Sequence, residues 1–101
     1  MPSLLKTYRY RSKKHLAFIA TQPCMICSHP AEPHHLLRAG GKGMGIKASD
    51  SHAVPLCHFC HMELHSDGNE IKWFEYRGWE YEKVKNHAKK LFEQSIVAGR
   101  I

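Results

Sequence analysis

No apolar run in this chain approaches the length of a membrane span, and its start, MPSLLKTYRYRSKK, lacks the apolar stretch of a secretory signal. Cysteine is scarce as well. The four present all fall in two C-x2-C pairs, Cys24/Cys27 and Cys57/Cys60, an arrangement that suits a metal better than a disulfide frame. These absences point away from a membrane or a secreted protein and towards a reducing, cytosolic setting. The glycine-rich AGGKGMG is not followed by Gly-Lys-Ser/Thr at the Walker A offset, which excludes a P-loop, though its backbone could approach a phosphate closely. There is no internal repeat and no low-complexity segment. At 101 residues the chain reads as one domain, near the size where a structural metal contributes usefully to stability.

Acidic residues are missing from one half. Residues 1–47 hold a single acid, Glu32, against eight bases: Lys6, Arg9, Arg11, Lys13, Lys14, Arg38, Lys42 and Lys47. The remaining residues are nearly balanced, and the net charge is +6. A basic half with Tyr8 and Tyr10 among its cations suits a polyanion, through phosphate contacts and some stacking. DNA is the expected partner, with Arg9, Arg11, Arg38, Lys42 and Lys47 as phosphate contacts.

What the chain has in excess is metal-ligand chemistry. Nine histidines are present, seven of them between residues 29 and 65, where Cys24-x2-Cys27, His34-His35, Cys57-x2-Cys60 and His61-x3-His65 follow one another. Four cysteines in two knuckles match one tetrahedral zinc. A redox role for Cys24-Met25-Ile26-Cys27 would ignore the second pair. Cys57-His58-Phe59-Cys60-His61 also has the form of a haem attachment motif, but nothing in the chain reads as an export signal. His29, His52 and His58 are read as ordinary surface or core residues.

The expected elements place these ligands in an α+β chain. Residues 1–11 read as a basic arm. Ser12 caps a helix over about 13–20, with Leu16, Ile19 and Ala20 at helical spacing, ended before Pro23. A metal-binding turn runs from Cys24 to Pro33, a strand from His34 to Leu37, and a second strand from Ala53 to Leu56. A helix from about Cys60 to Ser66 sets His61 and His65 one turn apart on one face. Gly68-Asn69 ends it, Glu70 to Tyr76 forms a short helix, and Trp73 and Phe74 are core anchors. A longer amphipathic helix from Glu80 to about Val97 carries Val84, Ala88, Leu91 and Ile96 on one side, with Gly99 as its cap. Its Lys83, Lys85, Lys89 and Lys90 read as a solvated face.

Neighbouring residues on a strand point to opposite faces, so one of His34 and His35 can bind a metal while the other faces a scissile phosphate. Phosphodiester hydrolysis needs a deprotonated water, an in-line approach and positive charge beside the leaving oxygen. A neutral His35, with an ordinary pKa of about 6.5, would accept the water's proton. His34, His61 and His65 would present three imidazoles to one divalent ion and leave positions open for phosphate and water.

The residues from Cys24 to His65 resemble the HNH (ββα-metal) nuclease family. In its nuclease-colicin members a His-His pair supplies one ligand and the general base, and an H-x3-H helix supplies two more ligands. The resemblance implies His34, His61 and His65 as ligands and His35 as the base, and the cysteine knuckles resemble the zinc-bracketed branch. The segments KKHLAFIATQPCMIC, HHLLRAGGKGMGIKASD and VPLCHFCHMELHSDG are similar to those of small phage and prophage HNH proteins, including the Ref-type RecA-dependent nucleases. That similarity implies a host-cell cytosol, phage DNA processing or recombination, and a recombinase filament as a possible partner. The implied fold is a small ββα-metal, treble-clef-like domain over 1–101, with a 24–65 core, an N-terminal helix and a helical 70–98 part. Family members commonly carry Asn between the two histidine sites. Here Asp50 and His52 occupy that region, and Asp50 is taken as the residue that holds the loop or the His35 ring, with a solvent-exposed turn residue as the alternative. The expected cofactors are a structural Zn²⁺ and a catalytic divalent ion. Mg²⁺ prefers oxygen donors, whereas three imidazoles favour Zn²⁺, Ni²⁺, Co²⁺ or Mn²⁺. A non-catalytic, zinc-dependent DNA-binding module is the competing expectation.

Overall fold

The computed structural model describes residues 11–36 and 49–99. Within them the chain forms α1 (Lys13–Ala20), β1 (Glu32–His35), a 3-10 turn (Asp50–His52), β2 (Ala53–Leu56), α2 (His58–Asp67), α3 (Glu70–Tyr76) and α4 (Tyr81–Val97). This is a small α+β arrangement of four helices and a two-stranded sheet among the described residues. No helix there is long and apolar enough to cross a membrane. Arg9, Arg38, Lys42 and Lys47 lie outside the described residues, as do Tyr8, Tyr10 and the glycine-rich segment.

Local chemistry explains the breaks. The Ser12 hydroxyl accepts from the His15 backbone N–H at 3.0 Å and so starts α1. The Cys24 N–H reaches the His29 carbonyl at 2.8 Å, and Ser28 takes a positive φ of 67°, which closes the first knuckle into a tight loop. Cys57 caps α2 by accepting from the Cys60 N–H, so this helix starts two residues earlier than its sequence suggests. Gly68, at φ 84°, ends α2 in the left-handed region, and Asn69 then caps α3 by accepting from the Lys72 N–H. A turn of this kind leaves no spare residue between two helices.

The strands pair antiparallel, with His34 opposite Val54 and His35 opposite Ala53. The first strand begins two residues before the expected His34, because Glu32 and Pro33 already pair with Leu56 and Pro55. Leu36 still donates to the His52 carbonyl at 2.8 Å, while Leu37 lies outside the described residues. β2 is buried throughout, and its Val54 and Leu56 join Leu36, Leu64, Trp73, Phe74, Val84 and Ala88 in the main core. Each large apolar side chain so buried contributes roughly 1.5–3 kcal/mol.

Two expectations about faces are corrected. The buried stripe of α4 runs Tyr81, Val84, Ala88, Leu91 and Ser95, and Ile96 is 53% exposed. Alternating steps of three and four lead from Leu91 to position 95, and residue 96 lies about 100° further round the helix. In α1, Ile19 is buried as expected but Ala20 is exposed, and the second buried position belongs to His15. The His15 Nδ1 sits 2.6 Å from the Ser95 hydroxyl, a polar tie between the first and last helices. The cap of α4 is Ala98, with Gly99 following at φ 75°.

Two candidate metal centres

The ends of the sheet and the start of α2 assemble two separate ligand clusters. Cys24 and Cys27 come from the knuckle after α1, Cys57 from the end of β2 and Cys60 from the first turn of α2. Their sulfurs all lie within 4.8 Å of one another. Cys27 and Cys57 are 3.4 Å apart, far beyond a disulfide bond, and all four thiols are free. Tetrahedral zinc, with bonds of about 2.3 Å to sulfur, sets neighbouring sulfurs about 3.8 Å apart, between the 3.4 Å Cys27–Cys57 separation and the 4.8 Å bound on the cluster, so small shifts of the side chains suffice. The donor set fits that ion. Burial works against the Cys24 thiolate, but the backbone N–H groups of Cys27, Cys57 and Ile26 prevail and bring its pKa down to about 7. Burial and the neighbouring sulfurs push the Cys60 thiol up strongly. His29, read from sequence as an ordinary residue, places Nδ1 3.1 Å from Cys27 Sγ, where an N–H steadies a thiolate.

The second cluster is His34, His61 and His65, with one ring nitrogen of each within 4.8 Å of the others. Their ring centroids are 4.7 to 5.6 Å apart. His34 comes from β1, and His61 and His65 from successive turns of α2. Two outer carboxylates orient this set. His34 Nε2 donates to Glu70 Oε1 at 2.9 Å, and His61 Nδ1 donates to Glu32 Oε2 at 2.6 Å. A nitrogen that donates a proton cannot also bind a metal, so Nδ1 of His34 and Nε2 of His61 carry the ligating lone pairs. Burial, then the neighbouring His61 and His34, hold His65 below the ordinary histidine pKa, which favours the neutral, ligating form. Hydrogen bonding from His61 lowers the Glu32 pKa against a smaller opposing effect of burial.

Glu70 and Glu32 were missed from sequence. Glu32 had a signal, since residues two apart on a strand share a face and Glu32 precedes His34 by two. Glu70, 36 residues from His34, had none.

His35 points the other way. Its Nε2 is 2.7 Å from Asp50 Oδ1, and its side chain is 32% exposed. The same oxygen accepts from Arg11 Nη1 at 3.0 Å, while Asp50 Oδ2 accepts from the Ser12 backbone N–H at 2.8 Å. Asp50 is 3% exposed, so it is no surface turn residue. Arg11, expected at a phosphate, commits Nη1 to Asp50 while its side chain stays 47% exposed. His52 belongs to neither cluster, and burial lowers its pKa.

Burial alone would raise the Asp50 pKa, but the Ser12 N–H, His35 and Arg11 together hold it below the usual aspartate value. A depressed folded pKa means that the stabilisation is complete above the ordinary aspartate range and lost as pH falls through the lowered value. Asp50→Ala is therefore expected to cost about 1–3 kcal/mol, with a loss that stays flat through the neutral and mildly alkaline range. Urea denaturation of both proteins across that range checks it. A loss that faded there would show that another group, not the Asp50 carboxylate, carries the effect.

A family model described as "Protein of unknown function (DUF968)" matches residues 3–99. The chain is also similar to the uncharacterized protein YdfU of Escherichia coli (strain K12), with 46% identity over 65 residues. Those residues are 63% of this chain and 19% of YdfU, so the chain spans about a fifth of that relative's length. No solved structure matches.

Proposed function

The chain belongs to the DUF968 family, and from the chemistry of its two ligand clusters we propose that it is a metal-dependent DNA endonuclease of the HNH type with a structural zinc. The observation that carries this reading is the split between consecutive residues of β1: His34 joins two helix histidines, while His35 joins a fixed carboxylate. A purely structural metal site has no use for a braced, partly exposed imidazole on the opposite face. The basic N-terminal half supports a nucleic-acid substrate.

In this reading Cys24, Cys27, Cys57 and Cys60 hold zinc and fix the start of α2. His35 donates through Nε2 to Asp50, which leaves Nδ1 to take the proton from the attacking water. Asp50 is pinned by the Ser12 N–H and Arg11, so the imidazole is held in one orientation and one tautomer. Arg11 shares Oδ1 with His35, and its half-exposed guanidinium sets positive charge beside the base, where phosphate oxygens would gather. A divalent ion bound by His34, His61 and His65 would supply Lewis-acid charge to the phosphate and its leaving oxygen. No separate recognition helix is evident in the sequence, so weakly specific or structure-directed cutting is expected.

The test is incubation of the purified full chain with supercoiled plasmid, with chelator or with Mg²⁺, Mn²⁺, Ni²⁺ or Zn²⁺. Nicking that needs an added ion is the expected result. Plasmid retained on the protein, with the metals bound and no cutting under any ion, would overturn the nuclease reading in favour of a zinc-dependent DNA-binding module.

A further inference from the structure

We propose that Glu70 and Tyr81 form a buried positioning pair that fixes His34 as an Nδ1 ligand, so that helices outside the ββα unit set the hold of the histidine cluster on its ion. This rests on the reading of that cluster as a metal site.

Glu70 is the first residue of α3 and is 4% exposed. Its Oε1 accepts from His34 Nε2, and its Oε2 accepts from the hydroxyl of Tyr81, the first residue of α4. The beginnings of two successive helices thus meet at one side chain. The amide-rich first turn of α3 favours a carboxylate at that position. His34 is 1% exposed, so its ring has no water to exchange partners with. In such a setting the acceptor decides which nitrogen bears the proton, and a carboxylate also makes the other nitrogen a stronger donor to a cation. His61 is supported differently. Its partner Glu32 has a side chain 38% exposed and is also 3.4 Å from His58 Nδ1, so it can change partners. Glu70 is the rigid support of the two.

The buried carboxylate also fits a cation better than it fits an apo core. Negative charge away from water is tolerated where donors and positive charge converge on it. A divalent ion on the far nitrogen of His34 would supply the latter.

The experiment is a Co²⁺ titration of the full chain, read by absorbance. The cysteine site gives intense thiolate-to-cobalt charge-transfer bands, and the histidine site gives weak visible bands, so the two are separable. In Glu70→Gln, which keeps the shape and an acceptor oxygen but not the charge, affinity at the histidine site is expected to fall about 10- to 100-fold. The cysteine bands and far-ultraviolet circular dichroism stay unchanged. Tyr81→Phe gives a smaller loss of the same kind. Wild-type affinity in Glu70→Gln overturns the proposal and leaves the metal site standing, whereas a wild-type chain that takes cobalt only on its cysteines overturns both. Should Glu70→Gln fail to fold, long-range proton–nitrogen NMR of the wild type decides. His34 protonated at Nε2 supports the pair, and protonation at Nδ1 overturns it.

Discussion

His35→Ala is expected to lower plasmid nicking by about 10²- to 10⁴-fold, the range that one positioned proton acceptor contributes, while both metal sites and DNA affinity stay close to wild type. The separation follows from where the ring sits. Among the described residues His35 belongs to neither ligand cluster, and its Nε2 is held by Asp50. Its side chain is partly exposed, so truncation leaves a dent at the surface rather than a cavity in the core. The change is best measured beside His34→Ala, which removes a ligand instead of a base. His34→Ala should lose the ion and the activity together, whereas His35→Ala should lose activity with the ion retained. If His35→Ala still cuts at the wild-type rate, the base lies elsewhere and the nuclease reading loses the observation that carries it.

Replacing Cys57 should have the larger effect on the fold. Cys57→Ala removes one of four sulfurs, the side-chain cap of α2 and a member of the main core in a single step. Structural zinc binds zinc-finger peptides with about 10–16 kcal/mol, comparable with or above the roughly 5–15 kcal/mol that separates most folded domains from their unfolded chains. The variant is expected to retain no zinc at the cysteine site and to lose cooperative thermal unfolding at physiological temperature. The histidine cluster should fail with it. Cys60 and His61 are consecutive on α2, and a first turn that frays moves both. Metal analysis together with circular dichroism melting is the check. A variant that lacks the zinc and still melts like the wild type would show that the cysteines do not hold the fold together.

Much of this arrangement was legible in the sequence because it is local. Ser12 as a cap, Gly68-Asn69 as a double stop, the short helix from Glu70 and the alternation of His34 and His35 all depend on neighbours within a few positions. The grouping of cysteines and histidines was legible through ligand chemistry, since such residues at those intervals have few other uses. What escaped the sequence is long-range. Glu70 meets His34 across 36 positions and Arg11 meets Asp50 across 39, and nothing near either residue marks the encounter. The error at Ile96 has another origin. Hydrophobicity alone assigned that residue to the buried side, whereas helical geometry places Ser95 there, and its hydroxyl is satisfied by His15.

The opposite facing of His34 and His35 makes β1 sensitive to parity. Adding or deleting one residue between Glu32 and His34 would slip the strand by one place and hand His35's position to its neighbour, turning the base inward and the ligand outward. A two-residue change would restore the facing, though with a shifted pairing. Over evolutionary time this segment should therefore accept substitutions at Pro33 far more readily than any change in its length. Insertions and deletions among homologues should stop at the edges of the strand, even where the residue between Glu32 and His34 differs.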